Sequence, residues 1–224
     1  MITDFNATRF GKFISIGKEI RQDLFNPDLS HNSLRAEWNL EKNHFIAFYG
    51  GILGHAQGLE VILKAADLLR SEENIRFVIA GAGPLASKLT EMKETLKLSN
   101  VLFVPPYPKD KMQSVLASID ISIIPLKKIS LFKGAIPSKI FETLSMRKPI
   151  LLGVEGEAKE LFIDQGKSGL NFIPEDERDL AAKLVSIYRN KDLYSETAEN
   201  GYKYVRENFN RENIYREFLN FILE

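Results

Sequence analysis

Residues 136–157 read IPSKIFETLSMRKPILLGVEGE, and the rest of the chain is organised around them. The pattern predicts a loop, a short helix and a buried strand. Pro137 suits the first turn of a helix and the Ser138 hydroxyl can cap its free N–H groups, while Pro149 is expected to close it. Such a helix directs unpaired N–H groups and the positive end of its dipole at the space before it, which suits a phosphate.

Two charged side chains at the start of this helix are candidates for ligand contacts. Lys139 places a full positive charge where the helix dipole disfavours one, so a bound anion would explain its presence. Glu142 lies one turn further on, within reach of a hydroxyl group of the same ligand. An ordinary capped helix in an α/β domain explains these residues equally well when they are taken alone.

Length and composition are typical of a globular protein with one large domain, alone or with extensions: the chain has 224 residues. Lys plus Arg and Asp plus Glu each number 30, and this zero formal charge argues against a general nucleic-acid binder. The lack of cysteine excludes disulfides, thiolate catalysis and cysteine-based zinc sites. No apolar run approaches the roughly 20 residues of a membrane span and no signal peptide is visible, so the expected location is the cytoplasm.

Short apolar runs alternate with helical patterns along most of the chain. The runs are typical of strands that are buried on both faces. The predicted strands are 45–49, 75–80, 101–104, 121–125, 150–153 and 169–173, and the further predicted helices are 59–69, 85–96, 109–118, 177–189, 193–207 and 212–223. Short Gly/Pro turns between them indicate right-handed βαβ units. The predicted fold class is therefore α/β, a Rossmann-like parallel sheet with helices on both faces.

The same patterns divide the chain into three parts. They are a linker or approach segment over 1–42, a Rossmann-like domain over 43–190, and C-terminal helices over 191–224. Within the approach segment we expect a short strand at 13–16 and a short helix at 33–40, with Trp38 as a packing anchor.

Four loops are predicted to meet at one edge of the sheet. They contain the Gly50–Gly51 pair, Gly83, the turn 105–108 and the segment 136–142. In parallel sheets, ligands bind beyond the carboxyl ends of the strands, where all four loops would lie. This convergence predicts a binding site more strongly than any single motif does.

Other motifs carry less weight. The sequence GAGP at 81–84 superficially resembles a dinucleotide fingerprint, but its third glycine is missing, and hydride transfer with a nicotinamide cofactor has no further support. A Walker-type Gly-Lys-Ser/Thr is absent, and the three histidines lack metal-like spacing. Lys127, Lys128 and Lys133 form a small basic cluster just before the central helix, where phosphates would lie.

Several motifs, taken in order, resemble a known family. They are QGLEVILKAADLL, IRFVIAGAGP, NVLFVPPYPKDKM, IDISIIPL and PSKIFETLSMRKPILLGVEGEAKEL. From about residue 13 to the C-terminus the chain resembles the donor-binding half of family 4 glycosyltransferases, which are retaining enzymes of the GT-B fold. The PSKIFE and AQGLE forms look closest to the bacterial branch that adds amino sugars in O-antigen or capsule synthesis.

The resemblance assigns a pair of glutamate positions. Glu142 matches the second glutamate of the family's motif, which holds the nucleotide ribose. The first glutamate of the motif, which contacts the donor sugar, falls eight positions earlier, on Gly134. Its contact with the sugar is therefore lost or replaced in this chain. Glu157 and Glu160 are expected in the loop after the fifth strand, with no assigned role.

The resemblance also indicates how the diphosphate would be held. Gly51 and Gln57 fall on positions where many members carry an arginine and a lysine. Lys139, with the backbone N–H groups of Ser138 and Lys139, is the candidate replacement, and Lys133 is a weaker one.

The remaining contacts follow from the same motifs. Pro106, Tyr107 and Met112 match the stretch that brackets the base. Lys139 and Glu142 are the candidate catalytic residues. The other residues expected to contact the donor are Gly50, Gly83, Ile136 and Pro137.

The implied function is retaining transfer from a nucleoside-diphosphate sugar, with UDP preferred, to a lipid-linked or polysaccharide acceptor. No cofactor and no metal are implied. The acceptor domain is expected in a missing N-terminal half or a partner chain, with peripheral contact to the inner face of the plasma membrane through the acceptor. The apolar side of the helix at 212–223 predicts a partner, either a second copy or another chain. A non-catalytic nucleotide-sugar-binding module and a subunit of a split transferase remain alternatives.

Overall fold

A computed structural model describes residues 25–28 and 34–210 of the chain. Its centre is one sheet of six parallel strands in the order β3-β2-β1-β4-β5-β6. The strands are β1 Phe45–Gly50, β2 Ile75–Ala80, β3 Val101–Val104, β4 Ile121–Pro125, β5 Ile150–Gly153 and β6 Gly169–Asn171. The predicted fold class is confirmed, and β6 is two residues shorter than the predicted strand 169–173.

Helices follow the strands and cover both faces of the sheet. They are α1 Glu60–Leu68, α2 Ala86–Thr95, α3 Met112–Ser118, α4 Lys139–Ser145, α5 Glu157–Lys159, α6 Glu177–Arg189 and α7 Lys191–Asn208. Short 3-10 helices lie at His55–Gln57, Lys109–Lys111 and Ser130–Gly134, and a π-helix, Glu160–Gln165, continues α5. Among the residues that the structure covers, none of these helices is long and apolar enough to cross a membrane.

The core explains why the strands are continuous apolar runs. On one face, Phe77 and Tyr49 pack with side chains of α1, α2 and α6. On the other face, Phe48 packs with α3, and the neighbouring β4 and β5 pack with α4, α5 and α7. Because successive side chains of a strand point to opposite faces, only an apolar residue at nearly every position can satisfy both layers.

The strand order reverses between β1 and β4. The chain moves from β1 outward through β2 to β3, then returns to place β4 on the other side of β1, where Ala47 pairs with Ile121. In sheets of this kind the loops that leave the two central strands run to opposite sides, and the crevice between them at the carboxyl edge is where such folds bind ligands.

Two predicted local structures are wrong. Residues 34–39 form consecutive turns rather than a helix, although Trp38 is buried as expected and stacks on Phe48 at a centroid distance of 6.5 Å. Glu157 and Glu160 lie in the α5 and π-helical segment rather than in a loop. Gly156 allows the turn that begins this segment, because its φ of 83° favours glycine. The predicted strand 13–16, the helix 212–223 and residue 33 lie outside the described residues.

Candidate functional site

The carboxyl edge of the sheet brings the predicted loops together. Gly50 ends β1 and Gly51 comes directly after it; Gly83 follows β2, Tyr107 follows β3 and α4 follows β4. All four strands are parallel neighbours, so their loops lie on the same side, as expected. The roles of individual residues at this edge remain predictions.

The loops after β1 and β2 are held together by their backbones. The Leu53 N–H donates to the Ala82 carbonyl at 2.9 Å, and the Leu85 N–H donates to the Leu53 carbonyl at 2.9 Å. A Cβ atom at Gly83, where φ is 156°, would lie 2.5 Å from the Leu53 carbonyl oxygen. Glycine at position 83 is therefore required by this loop contact, whether or not it also contacts a ligand.

The ammonium group of Lys139 lies at the glycine loop after β1. A Cβ atom at Gly51 would be 2.8 Å from the Lys139 Nζ. The same nitrogen lies 4.2 Å from the ring centroid of Tyr49. Burial lowers the pKa of Lys139 from 10.5 to about 8, although the charge of Glu142 opposes this shift. The result is a desolvated cation, and within the described part of the chain it forms no ion pair.

Helix α4 positions this lysine differently from the prediction. The Ser138 side chain makes no capping hydrogen bond, because Ser138 already has helical backbone angles, and the expected hydroxyl cap is wrong. The helix ends at Ser145 and not at Pro149. Arg147, at a φ of 50°, ends it by donating its N–H to the Leu144 carbonyl at 3.1 Å. With only seven residues, α4 has a small dipole, so the Lys139 charge is the main attraction for an anion.

Two lysines act electrostatically on Glu142, one from the loop after β3 and one from its own helix. Burial raises the pKa of its carboxyl group, and the charges of Lys109 and Lys139 act in the opposite direction. Lys109 belongs to the 3-10 helix that precedes α3, so the loop after β3 and helix α4 contribute to the same electrostatic site. Lys109 was predicted only as the start of a helix, so this electrostatic role was missed; its place directly after PYP, in a predicted contact loop, was the available signal.

The predicted base-binding residues lie together at the end of β3. Tyr107 and Met112 pack against the cluster that contains Trp38 and Phe48. The Trp38 Nε1 donates to the Tyr107 hydroxyl at 2.9 Å, which fixes the position of the Tyr107 ring. Pro106 is exposed beside them. This arrangement leaves a half-buried aromatic ring at the edge of the crevice.

The remaining predicted residues are spread around the same edge. Gln57 folds back toward Gly54, since its Oε1 would lie 2.8 Å from a Cβ atom there. Ile136 and Pro137 are half-buried before α4. Gly134 is exposed, and a Cβ atom at this position would meet no other atom within 4 Å.

Lys133 joins the other two lysines of the predicted basic cluster. The three line a pocket of about 230 Å³ that also includes Phe132, Val154 and Pro174. The pocket lies at the loops after β4, β5 and β6, and one of its lysines, Lys128, lies 3.8 Å from a Glu155 carboxylate oxygen. Across the described ranges, no group of three His, Cys, Asp or Glu side chains could hold a metal ion.

A parallel sheet with a reversal of strand order, and glycine loops beside a half-buried lysine at that reversal, define a Rossmann-like domain. The chain belongs to the glycosyl transferases group 1 family, whose profile matches residues 30–204.

Two curated relatives are similar over most of this chain. The glycosyl transferase WcaI of Escherichia coli, named for colanic acid biosynthesis, is 28% identical over 193 residues, which are 86% of this chain and 46% of WcaI. The glycosyltransferase WbjE of Pseudomonas aeruginosa is 28% identical over 149 residues, which are 66% of this chain and 36% of WbjE. The chain therefore spans less than half the length of these relatives.

Solved structures share the fold. HepE of Anabaena, in complex with UDP and glucose, has a TM-score of 0.77 at 17% identity, covering 92% of this chain and 55% of HepE. The C-terminal domain of LpcC, a glycosyl transferase group 1 family protein from Francisella tularensis, has a TM-score of 0.69 at 17% identity, covering 86% of this chain and 99% of that domain. At these identities the likeness concerns the fold alone.

Proposed function

We propose that this chain is the donor-binding half of a retaining glycosyltransferase that takes a sugar from a UDP-sugar in bacterial surface polysaccharide synthesis. The observation that carries the proposal is the position of the Lys139 ammonium group against Gly51. Many members of the resembled family carry an arginine at the Gly51 position for the diphosphate. A cation reaches the same place here from α4.

The chemistry of a diphosphate suits this cation. A buried ammonium group without an ion-pair partner is unfavourable, and the free energy improves when an anion enters beside it. Phosphate oxygens accept charge-assisted hydrogen bonds from an ammonium group. The lowered pKa of Lys139 has the same physical cause, because burial disfavours the charged form by more than the Glu142 charge favours it.

Glu142 and the loop after β3 would hold the nucleoside. Glu142 lies one turn of helix beyond Lys139, where a carboxylate can accept hydrogen bonds from ribose hydroxyl groups. The half-buried ring of Tyr107, with Pro106 and Met112, would bracket the base. The preference for uridine rests on the resemblance and on HepE, which shares the fold and was solved with UDP.

In the transfer step, the bond between the sugar C1 and the diphosphate oxygen breaks. Negative charge then builds on the leaving diphosphate. A preorganised cation in a site with little water stabilises that charge more than water does, which lowers the barrier. Lys139 is the residue assigned to this role.

The acceptor would bind to the other half of the enzyme. We place that half in a longer protein or in a second chain, because this chain spans less than half of WcaI. Amino-sugar transfer in O-antigen or capsule synthesis, in the cytoplasm and at the inner face of the plasma membrane, is the setting that the PSKIFE form favours. The chain alone is expected not to transfer sugar, and no metal is assigned to the site.

A second candidate function is a nucleotide-sugar-binding module without catalysis. The observation that favours it is Gly134, which stands where the family carries the glutamate that contacts the sugar. Such a module would bind UDP and a UDP-sugar equally well.

Calorimetry with UDP and GDP tests the proposal, using the wild type and the variants Glu142→Ala and Lys139→Ala. Lys64→Ala, at an exposed position of α1, is the matched control. We expect UDP binding that Glu142→Ala loses, that Lys139→Ala weakens strongly but measurably, and that the control keeps, unchanged by EDTA or Mg²⁺. Lack of binding by a folded wild type would overturn the proposal.

A further inference from the structure

Tyr49 contacts both walls of the site around Lys139. It lies near the end of β1, 1% exposed, and its hydroxyl donates to the Ile52 carbonyl at 2.7 Å. The centroid of its ring lies 4.2 Å from the Lys139 Nζ. One side chain thus touches the glycine loop through its hydroxyl and helix α4 through its ring.

The three residues form a closed set of contacts. A Cβ atom at Gly51 would lie 2.8 Å from the Lys139 Nζ and 3.4 Å from the Tyr49 hydroxyl oxygen. Any shift of the ring therefore changes both the space beside Gly51 and the support of the ammonium group.

The hydroxyl group and the ring of Tyr49 each make a favourable interaction. A buried phenol needs a hydrogen-bond partner, and the Ile52 carbonyl provides it while fixing the turn after Gly51. Burial also raises the pKa of the Tyr49 hydroxyl, so it remains a donor at physiological pH. The ring face attracts a cation, and it does so more strongly when both are shielded from water.

We propose that Tyr49 is a positioning residue of the diphosphate site, where it holds Lys139 beside the Gly51 loop and pins that loop. This inference rests on the proposed function of the site. Phenylalanine or tryptophan would support the cation but could not bond the Ile52 carbonyl in this way, which explains why tyrosine occupies the position.

Two substitutions separate the hydroxyl from the ring. Tyr49→Phe removes one buried hydrogen bond, and we expect UDP affinity to fall about fivefold. Tyr49→Leu also removes the ring face, and we expect a loss of about tenfold or more. Phe77→Leu is the matched control, because Phe77 is a buried aromatic residue of the same cluster on β2, and its UDP affinity should stay unchanged.

A double-mutant cycle with Lys139→Met tests whether Tyr49 acts through the lysine. If it does, Tyr49→Leu should change UDP affinity less than about twofold once the ammonium group is gone. A loss in the Lys139→Met background as large as in the wild type would overturn the inference, since it would mean a general effect on the core. Urea unfolding of every variant separates altered binding from altered folding.

An NMR signature of the ligand-free protein tests the geometry without UDP. The ε-methylene protons of Lys139 should be shifted upfield by the Tyr49 ring, in the wild type and in Tyr49→Phe, and the Lys139→Met spectrum assigns the signal. If Tyr49→Leu does not fold, Tyr49→Phe and the wild-type NMR signal still test the positioning role. An unshifted Lys139 ε-methylene signal in the wild type would overturn the inference. A wild type that shows the shift but binds no UDP would overturn the proposed function and, with it, the positioning role.

Discussion

A Cβ atom at Gly51 would occupy space only 2.8 Å from the ammonium nitrogen of Lys139. Positions 51 and 139 therefore cannot both carry long side chains in this backbone. The cation that many members of the resembled family place on the loop after β1 is supplied here from α4, and glycine on the loop makes room for it.

Gly51→Arg is therefore expected to impair the site rather than restore it. The φ of 146° at Gly51 disfavours any side chain, and the new Cβ would displace Lys139. We expect the free energy of unfolding to fall by about 1–3 kcal/mol. Urea unfolding and UDP calorimetry check this, with Lys64→Arg as a control for added guanidinium. A Gly51→Arg variant with unchanged stability and tighter UDP binding would contradict the conclusion that positions 51 and 139 cannot both carry long side chains.

Gly134→Glu is expected to be tolerated and to add a contact to the sugar. Gly134 is exposed, and a Cβ atom there meets no other atom within 4 Å. A charge-assisted hydrogen bond to a sugar hydroxyl should tighten UDP-sugar binding about tenfold and leave UDP binding unchanged. Competition calorimetry with both ligands measures the difference, and Gly134→Ala is the control. Equal effects on UDP and the UDP-sugar would place the new carboxylate away from the sugar.

Alkaline pH should affect binding and stability in opposite directions. Lys139 has a pKa of about 8 when folded and the ordinary 10.5 when unfolded. The unfolded chain thus binds more protons between these values, so the Lys139 contribution to the unfolding free energy rises with pH from about 8 to 10.5, by on the order of 1–3 kcal/mol. The affinity for UDP should fall over the same range, because a diphosphate needs the charged amine. Urea unfolding and UDP calorimetry are measured against pH for the wild type and for Lys139→Met, and the difference between the two proteins gives the lysine's contribution. If that contribution to stability and that to UDP affinity changed in the same direction, Lys139 would not be desolvated.

Lys109→Ala should raise the pKa of Glu142 further. The Lys109 charge lowers this pKa, whereas burial raises it. When the Lys109 charge is removed, the effect of burial is opposed by Lys139 alone among these two lysines. We expect UDP affinity to fall about threefold, as for a partly screened charge. Titration of the Glu142 carboxyl carbon by NMR gives the shift directly. Lys111→Ala, in the same 3-10 helix, should leave it unchanged.

The sheet and most helices could be predicted because their signals are local. Each strand is a short apolar run, and α6 was predicted with its observed bounds because its apolar spacing is helical from end to end. The end of α4 could not be predicted in the same way. Arg147 adopts a positive φ, which is uncommon for arginine. Its guanidinium group lies 4.2 Å from the ring centroid of Tyr202, a residue far along the chain, and such a contact cannot be predicted from the local sequence.

The convergence of the loops at one edge of the sheet was predictable, but the contacts between their residues were not. Parallel strands put their loops at one edge, and this follows from topology. The sequence predicts Tyr49 only as part of a buried strand, because its contact with Lys139 joins residues 90 positions apart. Lys109 was missed for the same reason, since its effect on Glu142 depends on the approach of two loops in space.

The hydrogen bond from Trp38 to Tyr107 has a mechanical consequence. Trp38 belongs to the turns over 34–39, which precede β1 in the chain, whereas Tyr107 lies half-buried in the loop after β3. A partner that pulls on these turns would move the Tyr107 ring with them and so change how tightly a base is held. By thermodynamic reciprocity, a base that stacks on Tyr107 would restrain these turns and change their affinity for such a partner by the same factor.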